Sequence, residues 1–225
     1  MGMRRKIELD LYRAESLFWE NWLGIRTRTT RLPCERSRDA EHKIYTPTLY
    51  RTIFQVLRGL PLKASDVFVD LGCGKGRVAC CAAYLGAAQV VGVEYVKELH
   101  DIAVNNAKRM RHRQSPISIS LGEVEDFDFS QGTVFFMFNS FGRATVRSIL
   151  AKMEDGLRKN PREIRIAYVN PVYGLAMKER PWLERYGFWR RFDVVMLWRS
   201  KPDRQSGTST VGQYTSAGRA MPGKQ

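Results

Sequence analysis

Residues 67–77, VFVDLGCGKGR, restrict the fold more than any other stretch of the chain. An apolar run ends in an acid, Asp70, and glycines follow at alternate positions, Gly72, Gly74 and Gly76, with Cys73 and Lys75 between them. Glycine reaches backbone conformations that other residues avoid, so such a run makes a tight turn that brings main chain close to a ligand. The next residues, RVACCAAYLG, are small and apolar and read as a helix ending at Gly86. A short buried strand, a glycine turn and a helix form the first half of a βαβ unit.

The rhythm continues through the chain. AQVVGVE reads as a strand, VKELHDIAVNNAKRMR as a helix and ISISL as a strand. TVFFMFN is a strand, RATVRSILAKMEDGL a helix and REIRIAYVN a strand, and WRRFDVVMLWRS closes the sheet as a hairpin. The fold class is therefore α/β, a doubly wound, mostly parallel sheet with helices on both faces. Upstream, ELDLYRAESLFWENW predicts an amphipathic helix whose inner face carries Leu11, Leu17, Phe18 and Trp22. The polar stretch 27–43, broken by Pro33, reads as a mobile loop. A second helix follows, with Thr46 or Thr48 as its cap, Pro47 in its first turn, Leu49, Ile53, Val56 and Leu57 at helical spacing, and Gly59 closing it. These features divide the chain into a cap over residues 1–43, a ligand-binding domain over 44–200, and a basic tail over 201–225 that is low in apolar residues and reads as disordered.

At 225 residues and 44% hydrophobic content the chain can bury a full core. No apolar run approaches the roughly 20 residues of a membrane span, and the charged amino terminus lacks a secretory core, so a cytoplasmic protein is expected. Cys34, Cys73, Cys80 and Cys81 show no metal-ligand spacing, and the adjacent pair reads as small apolar helix residues in a reducing compartment. His42, His100 and His112 form no constellation; the last two fall in one helix and read as surface residues. No metal site is expected.

In a doubly wound sheet, ligands lie beyond the carboxyl ends of the strands, where strand order reverses, and the glycine turn lies there. Its G-x-G-x-G spacing differs from the G-x-G-x-x-G of dinucleotide sites, and the G-K-[ST] ending of a phosphate-cradling loop is missing. Asp70 beside the turn repels a pyrophosphate and suits an ammonium group. The second strand ends in Glu94, eighteen residues after Gly76, where a carboxylate accepts both hydroxyls of a ribose. The third strand is followed by Gly122-Glu123-Val124-Glu125-Asp126, which brings an acid to an adenine amino group. Acceptors for an ammonium, a ribose diol and an adenine describe S-adenosylmethionine better than a nicotinamide dinucleotide.

Together, DLGCGKGR, VVGVE, the acid after the third strand and FNSFG resemble the class I S-adenosylmethionine-dependent methyltransferases over roughly residues 44–199. The resemblance implies a Rossmann-like sheet of six or seven strands under an amino-terminal helical cap. It implies that Asp70, Gly72, Cys73, Gly74 and Gly76 surround the methionine portion of the cofactor, that Glu94 holds the ribose, and that Glu123 reads the adenine with Asp126 as rival. At the fourth-strand end, many amine methyltransferases carry an Asn- or Asp-Pro-Pro-aromatic motif; here Asn139 and Phe141 stand in comparable positions without the prolines. A closer pattern, Tyr45-Thr46-Pro47, DLGCGKG, GVE and Asn139-Ser140-Phe141-Gly142, is similar to the non-SET histone-lysine methyltransferases. Small uncharacterised bacterial-type methyltransferases share Asn170-Pro171 after the fifth strand. The likeness implies catalytic roles for Asn139, Phe141 and Tyr45, the last as a lid residue.

The implied activity is methyl transfer to an amine, with a protein lysine as one acceptor. A small-molecule or sugar hydroxyl and a binding module without turnover stand as alternatives. The formal charge is +14, and residues 158–225 hold fourteen Lys/Arg against five Asp/Glu. That basic third fits nucleic acid or an acidic surface as partner, or a solvated face with no partner.

Overall fold

A computed structural model describes residues 3–28, 45–139 and 141–202. The segment 29–44, Ser140 and the tail from 203 lie outside them, and with them most of the loop expected over 27–43, His42 and Cys34.

Seven strands form one sheet in the order β3-β2-β1-β4-β5-β7-β6. They are β1 (Val67–Leu71), β2 (Gln89–Glu94), β3 (Ile117–Leu121), β4 (Val134–Met137), β5 (Arg165–Val169), β6 (Leu183–Arg190) and β7 (Val194–Ser200). The first five are parallel, and β7 runs antiparallel between β5 and β6. Strand order reverses between β2-β1 and β1-β4, which puts the switch point at the carboxyl end of β1. β4 and β5 are buried at every position, as expected of central strands covered on both faces.

Helices α1 (Met3–Leu23), α2 (Tyr50–Gly59), α3 (Arg77–Leu85), α4 (Lys97–Arg109), α5 (Arg143–Lys159) and α6 (Gly174–Lys178) cover the sheet. One apolar cluster joins α2 and α3 to Phe68, Phe136, Ala167 and Leu197, and takes in Leu23 and Ile25 from the end of α1. The other joins Val146, Ile149, Leu150 and Met153 of α5 to Val69, Leu71, Phe135 and Tyr168. Alternate residues of β1 thus feed opposite cores, as the pleat requires.

Three local expectations are corrected. The α1 face carrying Leu11, Leu17, Phe18 and Trp22 points outward, with Leu11 56% and Phe18 61% exposed. The inner face is Ser16, Trp19, Glu20 and Leu23. Trp19 packs on Phe54 at 4.3 Å between ring centroids, and Glu20 answers a buried arginine described below. Second, α2 starts at Tyr50 without a side-chain cap, so Thr46, Pro47 and Thr48 precede the helix. The Thr48 carbonyl is committed to Arg77 instead. Third, His112 lies beyond α4, at positive φ (56°), stacked on Trp22 at 4.3 Å. His100 lies in α4, half-buried, beside Asp101 and the Ile119 carbonyl.

Candidate active site

The glycine turn closes on β2. The amides of Gly72 and Cys73 both donate to the Val93 carbonyl at 2.9 Å, the Gly74 amide donates to Glu94 Oε2 at 2.8 Å, and the Gly76 amide to the Cys73 carbonyl at 2.8 Å. These four turn amides are spent inside the protein, so they do not cradle a phosphate as glycine-rich phosphate loops do. Gly72, Gly74 and Gly76 have φ of 70°, 55° and 77°, the left-handed region that favours glycine. Gly74 also lies under the Tyr45 ring, where an added Cβ would come 2.4 Å from a ring carbon. Gly92 has a different reason to be glycine: a Cβ there would meet Cys73 Sγ and Ile119 Cδ1, each at 2.8 Å.

Two carboxylates frame the turn. Asp70, 2% exposed, accepts the Ala79 amide on Oδ2 at 3.1 Å and so caps the first turn of α3. Burial pushes its pKa up to about 7, against the pull of that amide, and the neighbouring Glu94 charge adds to the rise. Glu94, 5% exposed, accepts Gly74 N on one oxygen and Val96 N on the other, at 2.8 and 2.9 Å. Burial raises its pKa too. Neither acid forms a salt bridge with a described residue. Two desolvated carboxylates without a cation, each oxygen of Glu94 keeping a further lone pair, are suited to an ammonium and a ribose diol.

The other sequence-derived residues take different positions. Tyr45 is half-buried over the turn, with Lys75 Nζ 5.0 Å from its ring centre, and burial holds its phenol above the ordinary range. Asn139 lies two residues past the end of β4, half-buried, level with the glycine turn through the pairing of Leu71 with Met137. Phe141 is half-buried against the core on the α5 face. Glu123 and Asp126 are exposed at the two ends of a single 3-10 turn, Val124–Asp126, beyond β3. The structure therefore gathers Tyr45, Asp70, Cys73 and Glu94 around the turn, and leaves Glu123 on an open rim.

Sequence reasoning missed a second set. Arg77, the first residue of α3, is 2% exposed and bonds Thr27 Oγ1 at 2.7 Å, the Thr48 carbonyl at 3.0 Å and Glu20 Oε1 at 3.4 Å. Lys75 Nζ bonds the Arg28 carbonyl at 2.7 Å, and Asn106 joins the Lys75 carbonyl to both polar groups of the Arg26 backbone. The available signal was one acid, Glu20, inside the apolar run LFWENWL. Asn170 was noted only as part of an Asn-Pro pair. At positive φ (49°) it ties β5 to the β6–β7 hairpin through Asp193 at 2.9 Å and the Val194 amide at 3.1 Å. No group of three or more His, Cys, Asp or Glu among the described residues could hold a metal ion.

Solved structures share this fold. An RNA methyltransferase from Salinibacter ruber, solved with S-adenosyl-L-homocysteine, superposes with a TM-score of 0.55 at 20% identity, over 70% of this chain and 95% of that one. A SAM-dependent O-methyltransferase from Thermotoga maritima gives 0.54 at 16% identity, over 73% and 69%. At such identities the likeness is one of fold. The fold is that of a class I S-adenosylmethionine-dependent methyltransferase. Within that class, the profile of the histone methylation protein DOT1 family matches residues 34–150, just over half of the sequence, and the chain belongs to that family. The H3 lysine-79-specific histone-lysine N-methyltransferase of Dictyostelium discoideum is 27% identical over 199 residues, covering 78% of this chain. The chain spans only 11% of that relative's length. An uncharacterised protein of Methanocaldococcus jannaschii is 32% identical over 62 residues, 28% of each chain.

Proposed function

We propose that this protein binds S-adenosylmethionine across the glycine turn and transfers its methyl group to an amine, a lysine side chain of a protein being the favoured acceptor. The observation that carries the reading is the pair of buried, uncompensated carboxylates Asp70 and Glu94 around a turn whose amides are already spent. When bound, the cofactor supplies an electrophilic methyl group on a sulfonium. Asp70 would take the ammonium of its methionine portion, Glu94 the ribose hydroxyls, and Glu123 the adenine amino group. Tyr45 would cover the methionine portion and keep water from the reacting centre. The Asn139 side-chain oxygen, at the mouth beyond β4, would accept a hydrogen from the acceptor amine and aim its lone pair, while Phe141 walls the pocket. The cofactor would give up this methyl group and leave as the neutral thioether, and the amine's surplus proton would pass to solvent at the mouth beside Asn139.

Support for a protein acceptor comes from family membership and from the relative in Dictyostelium, whose name specifies a histone lysine. An acidic or nucleic-acid-bound partner is part of the proposal. Its support is the β6–β7 tip, which the register brings to the same sheet edge as the turn. There Arg190 and Arg191 are exposed, and Phe192 lies under both Arg51 and Arg191 at 4.9 and 5.1 Å. A cytoplasmic site of action is also proposed, in keeping with the buried, unpaired thiols of Cys73, Cys80 and Cys81 among the described residues.

The test is incubation with methyl-labelled S-adenosylmethionine and a panel of acidic, basic and nucleic-acid-associated proteins. Label on lysine together with S-adenosylhomocysteine formation supports the reading. Cofactor binding with no turnover on any acceptor favours a binding module. Asn139→Ala is expected to cut turnover by about 10²-fold while cofactor affinity stays within about twofold; equal loss of both would move Asn139 into the cofactor pocket.

A further inference from the structure

We infer that Glu20 and Arg77 are positioning residues for the cofactor turn, and that their buried pair makes cofactor affinity depend on the amino-terminal helix. The inference rests on the cofactor site proposed above.

The turn is held from two sides. On the sheet side, Val93 and Glu94 take its amides. On the other side residues 20–28 supply most of the contacts, joined by the Thr48 carbonyl and Asn106, and these contacts fall on Lys75 and Arg77, the neighbours of Gly76. Arg77 and Glu20 are almost fully buried, 2% and 4% exposed. Arg77 Nε donates to Thr27 Oγ1, and that hydroxyl donates in turn to Glu20 Oε1 at 2.9 Å. Glu20 Oε1 also takes the Thr27 amide at 2.8 Å, and Oε2 takes Arg28 Nε at 3.0 Å. The Arg77 guanidinium carbon lies over the Tyr50 ring, 4.4 Å from its centre.

A buried guanidinium that loses its carboxylate is costly, because its charge is then desolvated without compensation. Arg77 would have to turn toward water, and it is the first residue of α3. Two residues on, the Ala79 amide is the group that holds Asp70. A disturbance at Glu20 therefore reaches the acid meant for the cofactor ammonium through one helical turn. For a purely structural pair there would be no reason to expect its effect at the ligand.

The molecule contains its own control. Arg165 and Asp66 form a second buried pair, with Nη2 2.6 and 2.7 Å from the two carboxylate oxygens and side chains 6% and 5% exposed. Asp66 precedes β1 and Arg165 opens β5, so this pair lies at the opposite edge of the sheet. Glu20→Gln and Asp66→Asn make the same chemical change at the two edges.

The experiment is calorimetric titration with S-adenosylhomocysteine, paired with melting temperatures. Glu20→Gln is expected to weaken binding on the order of tenfold, while Asp66→Asn lowers the melting temperature and leaves affinity within about twofold of wild type. Affinity unchanged in folded Glu20→Gln, or affinity lost by both variants in proportion to melting temperature, overturns the inference. If Glu20→Gln does not fold, Thr27→Val decides, since it removes the bridging hydroxyl and keeps both charges; wild-type affinity there is the overturning result. A wild-type protein that does not bind S-adenosylhomocysteine would overturn the proposed function, a distinguishable result.

Discussion

Asp70 connects pH to both stability and ligand binding. Its carboxyl is raised from its ordinary 3.8 to about 7 by burial, so the folded protein holds a proton that the unfolded chain has released. Stability of the ligand-free protein should therefore fall as pH rises from about 4 to about 7 and then level off, a trend denaturant titrations across that range would register. Ligand binding has the opposite sign. An ammonium favours the carboxylate, so S-adenosylhomocysteine should bind more tightly as pH rises toward 7, with a proton released that calorimetry in buffers of different ionisation heat can count. Asp70→Asn should abolish both trends; survival of the proton release would remove Asp70 from the ammonium site. Glu94 accepts two amides, and under the proposed function its carboxylate would also hold the ribose, so Glu94→Gln should reduce affinity by about 10–100-fold and also lower the melting temperature. A reduced melting temperature with full affinity would leave Glu94 only the turn to hold. The places of these two acids were legible in the sequence because Asp70 stands one residue before the glycine turn and Glu94 ends the next strand, so local geometry brings both to the carboxyl edge of the sheet. Arg77 and Glu20 were not, because their meeting spans 57 positions and depends on where α1 docks.

Among the elements, the strand–helix alternation was readable because short apolar runs between turn residues leave few alternatives in an α/β chain. The orientation of α1 was not. Trp19 and Leu23 lie on one stripe and Phe18 and Trp22 on the next, so periodicity gave two faces, and the buried Arg77 selected the one carrying Glu20. The start of α2 was misplaced for a related reason: the Thr48 carbonyl serves the same arginine, and the helix begins only after that bond is made. Helix α6 and the first half of β6 gave little pattern; β6 is an edge strand with only one fully buried position. Within β2, Gly92 leaves no room for a side chain. Gly92→Ala should destabilise the protein by about 1–3 kcal/mol and loosen the turn, since the new methyl group collides with Cys73; an unchanged midpoint in urea would show that the turn yields without cost.

For the molecule as a whole, the formal charge of +14 and the arginines at the β6–β7 tip predict that association with any acidic partner weakens with salt. Binding to a polyanion should drop steeply between about 50 and 200 mM salt, and a salt-independent affinity would point to an apolar interface instead. The outward stripe of α1 leaves Phe18 and Leu11 both more than half exposed. A last consequence follows from Cys73. Its sulfur is wedged against Gly92 inside the glycine turn, and burial keeps the thiol protonated at neutral pH. Cys80 is held the same way, with its pKa pushed up to about 12. Alkylating reagents attack the thiolate, so Cys73 becomes reactive only in moments when the turn lifts off β2. Its labelling rate is then a clock for turn opening, read without any acceptor and slowed by whatever ligand holds the turn shut.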